Sequence, residues 1–265
     1  MNQTLSVRFI FAMVLLSVLS ALIIGSIFGT IDPSILSGAD PGLATYLAMF
    51  IGQGFLIVPV LIYLKRKNFD FRDSFRLNFI SRDIIYTTFF ISVGAMILSD
   101  ELNILIGMII PIPDSFLQIE ALLKPEDPFS LVLLIITIVI IAPIGEELLF
   151  RGFLQKGLEK AWDDVTKAIL FSSLFFAVIH FNPFWIIQIY FLGVLLGFLA
   201  WKTNSIIPCI IFHMIINATS LFFTSIEDSI EPIILWNGHI NPILIFIGIV
   251  SFWYGFKRLN TRGII

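Results

Sequence analysis

The fold of this chain is decided by residues 129–150, which are FSLVLLIITIVIIAPIGEELLF. No charged side chain occurs from Phe129 to Gly145. A run of about 20 apolar residues is long enough to cross the hydrocarbon core of a bilayer as a helix. The run ends in two adjacent carboxylates, Glu146 and Glu147, which are costly at membrane depth and are functional candidates by default. The segment therefore predicts a membrane-crossing helix that carries ionisable groups near one end.

The composition of the whole chain is that of a membrane protein. Hydrophobic residues make up 58% of the 265 residues and charged residues 13%, whereas soluble proteins average roughly 45–50% and about 25%. The mean hydropathy is +0.98, so the polar residues are too few to cover a soluble globule. The net charge of −3 and the lack of a basic patch argue against nucleic-acid binding. The single cysteine, Cys209, excludes an intrachain disulfide.

Eight apolar runs predict eight membrane-crossing helices. They are Phe9–Gly29, Leu43–Leu64, Ile84–Ile106, Phe129–Phe150, Ala168–Phe181, Phe184–Trp201, Ile206–Phe223 and Asn241–Phe256. The fourth helix is expected to continue to about Lys160. The fifth run is short, so we expect its helix to begin earlier, near Asp163 or Asp164, either of which can cap a helix N-terminus.

The basic residues predict the orientation of these helices. With eight spans, 15 of the 16 Lys and Arg residues fall on one side, and Lys124 is the exception. Basic residues favour the cytoplasmic side, so both chain termini are expected in the cytoplasm. The predicted fold class is all-α, a polytopic transmembrane helical bundle, and residues 1–265 are interpreted as a single domain embedded in the lipid bilayer.

Polar side chains inside the predicted spans are concentrated between residues 146 and 217. Four-residue spacing places two side chains on one helix face, and it occurs three times. The spaced pairs are Glu147 with Arg151, Phe176 with His180, and His213 with Asn217. Opposite charges at this spacing can pair, which reduces the cost of burying Glu147 and Arg151. The remaining histidine, His239, falls in an external loop and is interpreted as incidental.

The turn between the fourth and fifth helices indicates the depth of two of these residues. Glu146 and His180 are each 17 residues from Asp163, so in an antiparallel hairpin both lie roughly 25 Å along their helices from the turn. His213 and Asn217 lie roughly 10–20 Å along the seventh helix. We therefore predict one cluster of a carboxylate, two imidazoles and an amide within the membrane.

Several kinds of chemistry suit such a cluster. A carboxylate beside an imidazole can act as general base on a water molecule, and a second imidazole with an amide can stabilise an oxyanion. The same residue types could bind zinc, form a proton or ion path in a transporter, or make a structural polar network. The HExxH zinc motif, the GxSG serine motif and the GxGD aspartyl motif are absent from the sequence.

Taken together, three motifs resemble those of the CAAX protease and bacteriocin-processing family, also called the Abi family, of glutamate intramembrane proteases. The family pattern EExxxR, FxxxH and HxxxN is matched by Glu146-Glu147-Leu-Leu-Phe-Arg151, Phe176-Ala-Val-Ile-His180 and His213-Met-Ile-Ile-Asn217. The resemblance covers residues 126–223, which are interpreted as the catalytic core.

The resemblance implies a role for each motif. Glu146 and His180 would activate the attacking water, and His213 and Asn217 would form the oxyanion hole. Glu147 and Arg151 would pair and hold the first motif in shape.

The implied activity is a metal-independent endopeptidase that needs no cofactor and acts on membrane-associated peptides or proteins. The expected location is the plasma membrane, as a multi-pass protein of a bacterium. A non-catalytic bacteriocin-immunity or scaffold protein, or a transporter, are the alternatives.

Overall fold

A computed structural model describes residues 5–30, 41–110, 122–125 and 127–261. The described chain is helical almost throughout, which confirms the predicted all-helical, polytopic fold class. It forms two compact units, Met1–Leu77 with Asp114–Ala168, and Asn78–Pro113 with Ile169–Ile265.

The helices follow one another along the chain with one short hairpin near the end. In order they are α1 (Val7–Gly29), α2 (Leu43–Phe55), α3 (Val58–Arg66), α4 (Phe71–Ser74), α5 (Arg82–Ile109), α6 (Pro128–Trp162), α7 (Val165–Val178), α8 (Ile186–Thr203), α9 (Ile207–Ile234), β1 (Leu235–Trp236), β2 (His239–Ile240) and α10 (Pro242–Thr261).

Within the described ranges, seven helical segments are long and apolar enough to cross a membrane. Helices α2 and α3 form one of these segments together, Leu43–Arg66. Helix α7 is apolar but has only 14 residues, or about 21 Å of helix, against a hydrocarbon core of about 30 Å. All eight predicted runs are therefore helical, while the number that crosses the membrane and the side of the termini stay predictions.

In the first unit, α1 and α2 pack closely because two glycines face each other. A Cβ atom at Gly52 would lie 3.1 Å from the Ala21 carbonyl oxygen and 3.3 Å from Gly25 Cα. Helix α2 ends at Phe55, and α3 has Pro59 in its first turn, where the missing N–H of proline costs nothing. The break explains why one predicted run became two helices.

Helix α6 is not a regular α-helix. Its parts are α-helical Pro128–Ile135, π-helical Ile136–Ile141, α-helical Ala142–Glu147, π-helical Leu148–Gln155 and α-helical Lys156–Trp162. A π-helical turn holds an extra residue and occurs frequently at functional sites. The two carboxylates of the opening stretch therefore lie in a short α-helical part between two π-helical parts.

The end of α6 confirms two predictions about helix boundaries. The helix runs to Trp162, close to the predicted Lys160, and Asp163 ends it in the left-handed conformation with φ of 52°. Asp164 Oδ1 then accepts a hydrogen bond from the Lys167 amide at 2.9 Å, so this carboxylate satisfies one of the unpaired amides at the start of α7. Helix α7 begins in the first unit and continues in the second.

In the second unit, α5 and α10 are in direct backbone contact. A Cβ atom at Gly94 would lie 2.5 Å from the Phe252 amide nitrogen and 2.6 Å from the Gly248 carbonyl oxygen. Ser251 Oγ also donates to the Phe90 carbonyl oxygen at 2.8 Å. The core beside this contact is formed by α5, α8, α9 and α10 through Ile91, Ala95, Leu196, Leu199, Ala200, Cys209, Phe212 and Leu259.

The hairpin of β1 and β2 was not predicted. Its strands pair Leu235 with Ile240 and Trp236 with His239, and the turn between them is Asn237-Gly238, both with positive φ. Asn-Gly is the strongest short hairpin signal because both residues tolerate the left-handed conformation. The signal is present in the sequence, but it lies between two apolar runs, and only the apolar runs were used to predict secondary structure.

Candidate active site

The structure pairs the second glutamate of the first motif, Glu147, with the arginine that ends it, Arg151. Arg151 Nη1 donates to Glu147 Oε1 at 3.0 Å, and the side chains are only 1% and 0% exposed. The predicted pairing is therefore confirmed. A guanidinium and a carboxylate buried this deeply stabilise each other only as a pair, since each alone would be an uncompensated charge.

Glu146 directly precedes Glu147 in the same α-helical part of α6, and Arg151 lies in the π-helical part that follows. Its side chain is buried, as predicted for a carboxylate within a membrane-crossing helix. Pro143, three residues earlier, has no N–H to donate and lies two residues after the end of the first π-helical part of α6 at Ile141. A Cβ atom at Gly145 would lie 3.7 Å from the Gln53 carbonyl oxygen of α2, so α2 covers the backbone immediately before the carboxylate.

His180 lies just beyond the last helical residue of α7 rather than inside the helix. The α-helix ends at Val178, and the chain turns at Phe181, whose φ is 52°. His180 Nδ1 lies 2.7 Å from the Phe176 carbonyl oxygen, one of the carbonyls that a helix C-terminus leaves without a partner. Because a carbonyl oxygen only accepts, Nδ1 is the donor of this contact, and in the neutral tautomer with this donor the lone pair lies on Nε2.

The ring of Phe176 brings the two motif histidines of the second unit together. Its centroid lies 4.9 Å from that of His180 and 5.9 Å from that of His213, with interplanar angles of 74° and 85°. Edge-to-face contacts of this kind fix ring orientation. Phe176 and His213 are buried, and His180 is partly buried.

Asn217 follows His213 by four residues on α9, which is helical across both positions. The two residues therefore share a face of α9, as predicted. Asn217 is partly buried. The structure thus places Glu146, Glu147 and Arg151 in the first unit, and the remaining motif residues in the second.

Two groups of interacting charges were not predicted as such. In the second unit, Glu101 of α5 holds the hairpin: its Oε1 lies 2.7 Å from His239 Nδ1, and its Oε2 accepts from the Ile240 amide at 2.9 Å. His239 is therefore not incidental to the structure. In the first unit, Arg76 pairs with Glu159 of α6. Both contacts join residues far apart in sequence, so no local spacing predicts them.

Among the residues that the structure describes, no group of three or more His, Cys, Asp or Glu side chains is arranged to hold a metal ion. The motif residues form a buried carboxylate next to a charged pair in the first unit, and a pair of imidazoles around one phenylalanine in the second. These parts suit proton transfer and oxyanion stabilisation.

The helices and the buried polar groups together define a multi-pass helical membrane protein. Residues 128–219 match the family model described as Rce1-like, type II CAAX prenyl endopeptidase Rce1-like. The match confirms the resemblance to the CAAX protease family, a family of membrane proteases, over about a third of the chain. The matched segment includes all six predicted site residues. No curated protein and no solved structure matches the chain.

Proposed function

We propose that this chain is an intramembrane endopeptidase of the CAAX-protease type that hydrolyses peptide bonds of membrane-associated peptides or proteins. The observation that carries the proposal is the family match, because residues 128–219 contain every residue of the three motifs. The chemistry of the buried groups supports it, since a carboxylate and an imidazole can act as general bases on a water molecule.

In the proposed reaction, Glu146 and His180 remove a proton from a water molecule. The water oxygen bonds to the carbonyl carbon of the scissile peptide, the C–N bond then breaks, and the proton passes to the leaving amine. The lone pair on His180 Nε2 suits this role, because the Phe176 carbonyl oxygen fixes the ring proton on Nδ1.

We assign the oxyanion hole to His213 and Asn217. An imidazole N–H and an amide N–H₂ are both donors, and donors aimed at the developing oxyanion lower the barrier of acyl transfer. Contact with the ring of Phe176 orients His213. Glu147 and Arg151 are assigned a supporting role, since their ion pair holds the shape of α6 next to Glu146.

Two substitutions test the assignment in purified protein with a cleavable peptide. Glu146→Gln keeps the size of the side chain but removes the base, and His180→Ala removes the imidazole. Each is expected to lower kcat by about 10² or more. The matched controls are Glu231→Gln, at an exposed carboxylate, and His239→Ala, outside the motifs. Full activity in both folded test variants would refute the assignment.

The proposed enzyme needs no metal or other cofactor. Prolonged treatment with a chelator, followed by removal of the chelator, is therefore expected to leave kcat unchanged. Loss of activity that returns on adding zinc would instead favour a metallopeptidase built from the same histidines and glutamate.

We also propose that the chain crosses the plasma membrane of a bacterium eight times, with both termini in the cytoplasm. Reporter fusions at the two termini should then indicate the cytoplasmic side. Substrate uptake into proteoliposomes without peptide cleavage would support the transporter alternative. Protection from a bacteriocin that persists in the Glu146→Gln strain would support the non-catalytic immunity alternative.

A further inference from the structure

The connector between the second and third predicted spans lies directly against the part of α6 that carries Arg151. We name residues Asp70–Leu77 the connector clamp. A Cβ atom at Gly152 would lie 2.9 Å from Phe75 Cδ1 and 3.1 Å from Phe75 Cα. Phe75 is only 1% exposed. The connector clamp therefore touches the π-helical part Leu148–Gln155 at backbone distance, one residue after the buried guanidinium.

The turn that ends α4 is strained in a way that its contact with α6 explains. The Leu77 amide donates to the Arg72 carbonyl oxygen at 2.9 Å, and the Arg76 amide donates to the Asp73 carbonyl oxygen at 3.2 Å. This pattern places Arg76 at the left-handed position that usually holds glycine, with φ of 52°. An arginine persists there because its guanidinium pairs with Glu159 of α6 in a largely buried contact.

A second charged contact lies immediately after the π-helical part. Lys156 Nζ donates to Asp73 Oδ1 at 3.0 Å and also to the Asp73 carbonyl oxygen. Gln155 Nε2 donates to Glu159 Oε1 at 2.9 Å, which ties Glu159 back to the end of the same part. The connector clamp thus contacts α6 at three successive positions along its length.

We propose that the connector clamp is a positioning element for the candidate active site, which holds Leu148–Gln155, and with it Arg151 of the buried ion pair, in the π-helical conformation that follows Glu146 and Glu147. The proposal rests on the proposed peptidase function. A π-helical turn holds one residue more than an α-helical turn. If the extra residue were lost, the residues beyond it would rotate by about 100° relative to Glu146, and Lys156 and Glu159 would turn away from the connector clamp. The contacts of Lys156 and Glu159 with the connector clamp therefore favour the π-helical register.

The first test removes the charged contact and keeps the turn. Arg76→Gly loses the ion pair with Glu159, while glycine suits the φ of 52° better than arginine does. The matched control is Asn68→Gly, an exposed residue of the same connector that also has φ of 52°. Arg76→Lys retains a positive charge of similar reach and is the rescue variant.

The second test pushes the backbones apart. Gly152→Ala places a methyl group against Phe75, where a backbone atom limits relaxation. The matched control in the same unit is Gly54→Ala, where a Cβ atom meets nothing within 4 Å. Should Gly152→Ala fail to fold, Arg76→Gly decides the matter alone.

Two readouts separate a positioning role from general stability. Hydrogen exchange of the amides of residues 148–155 is expected to rise about tenfold in both test variants, while exchange in α10 stays as in wild type. For peptide cleavage, kcat is expected to fall about tenfold or more with KM within about twofold, because small misplacements slow the reaction more than they weaken binding. Arg76→Lys and both controls should resemble wild type in both readouts.

Each outcome of these experiments either supports or overturns a stated part of the proposal. Unchanged exchange in residues 148–155 of both test variants overturns the connector clamp. Faster exchange with an unchanged kcat overturns its positioning role. If wild type itself cleaves no peptide, the proposed function fails, and the positioning role in catalysis fails with it. The exchange readout then still shows whether these contacts hold α6 in register.

Discussion

Two charged links in this chain differ in how far water can replace them. Glu147 and Arg151 pair within one helix of the first unit, and their side chains are 0% and 1% exposed. Glu101 and His239 join α5 to the hairpin of the second unit, with side chains 20% and 43% exposed. In the first link each buried charge is stabilised mainly by the other. In the second link water can solvate either side chain and so replace part of the interaction. Exposure, more than distance, therefore decides what each link contributes.

The largest expected effect follows from breaking the buried link. Glu147→Ala leaves the Arg151 guanidinium buried without its carboxylate. The free energy of unfolding in detergent is expected to fall by about 3–5 kcal/mol, because the cost is that of an uncompensated charge. Chemical denaturation of the purified variant and of wild type measures the difference.

Removal of both charges sharpens the interpretation. The double variant with Glu147→Leu and Arg151→Met replaces the pair by apolar side chains, and we expect it to lose less stability than Glu147→Ala alone. A double variant that loses as much as the single one would show that the cost comes from lost packing, and the contrast between the two links would then disappear.

The next effect is smaller and local to the hairpin. Glu101→Gln keeps an acceptor for the Ile240 amide but removes the charge opposite His239. We expect a loss of about 1 kcal/mol, because hydrogen bonds to charged groups contribute modestly when they are partly solvated. Hydrogen exchange of the Ile240 amide measures it, with Glu231→Gln as the control. A loss as large as that of Glu147→Ala would break the comparison.

How much of the fold and of the candidate site could be predicted from the sequence depended on how far apart the interacting residues lie along the chain. The apolar run before Glu146, the cap at Asp164 and the pair of Glu147 with Arg151 are local patterns, and all three are found in the structure. The histidine contacts around Phe176 were partly accessible, because the motif spacing already placed His180 one turn away.

Other features had no local signal. The π-helical parts of α6 depend on contacts from outside the helix, and an apolar sequence such as that of residues 136–141 fits an α-helix equally well. Arg76 and Glu159 are 83 residues apart, so neither neighbourhood indicates the other. The Asn237-Gly238 turn is a different case, since its signal was local and was overlooked.

The smallest expected effect concerns the link whose carboxylate is the most exposed of the three compared. Lys156 and Asp73 have side chains that are 13% and 51% exposed. The hydrogen bond from Lys156 Nζ, helped by its positive charge, lowers the pKa of Asp73 below its usual range, against a weaker opposing effect of burial. A carboxylate with a lowered pKa in the folded state stabilises the fold above its unfolded pKa of about 3.9. The contribution is lost as the pH falls through the folded pKa.

Asp73→Asn measures that contribution directly. We expect it to reduce the free energy of unfolding by less than about 1 kcal/mol at neutral pH, since half of the side chain is in solvent. The difference from wild type should shrink as the pH falls below about 4, where Asp73 becomes protonated and resembles the amide. Thermal unfolding of both proteins across this range is the measurement, with Asp163→Asn as the control for removing one negative charge. A difference that grew towards low pH would have the opposite sign, and would show that exposure does not rank the charged links of this chain.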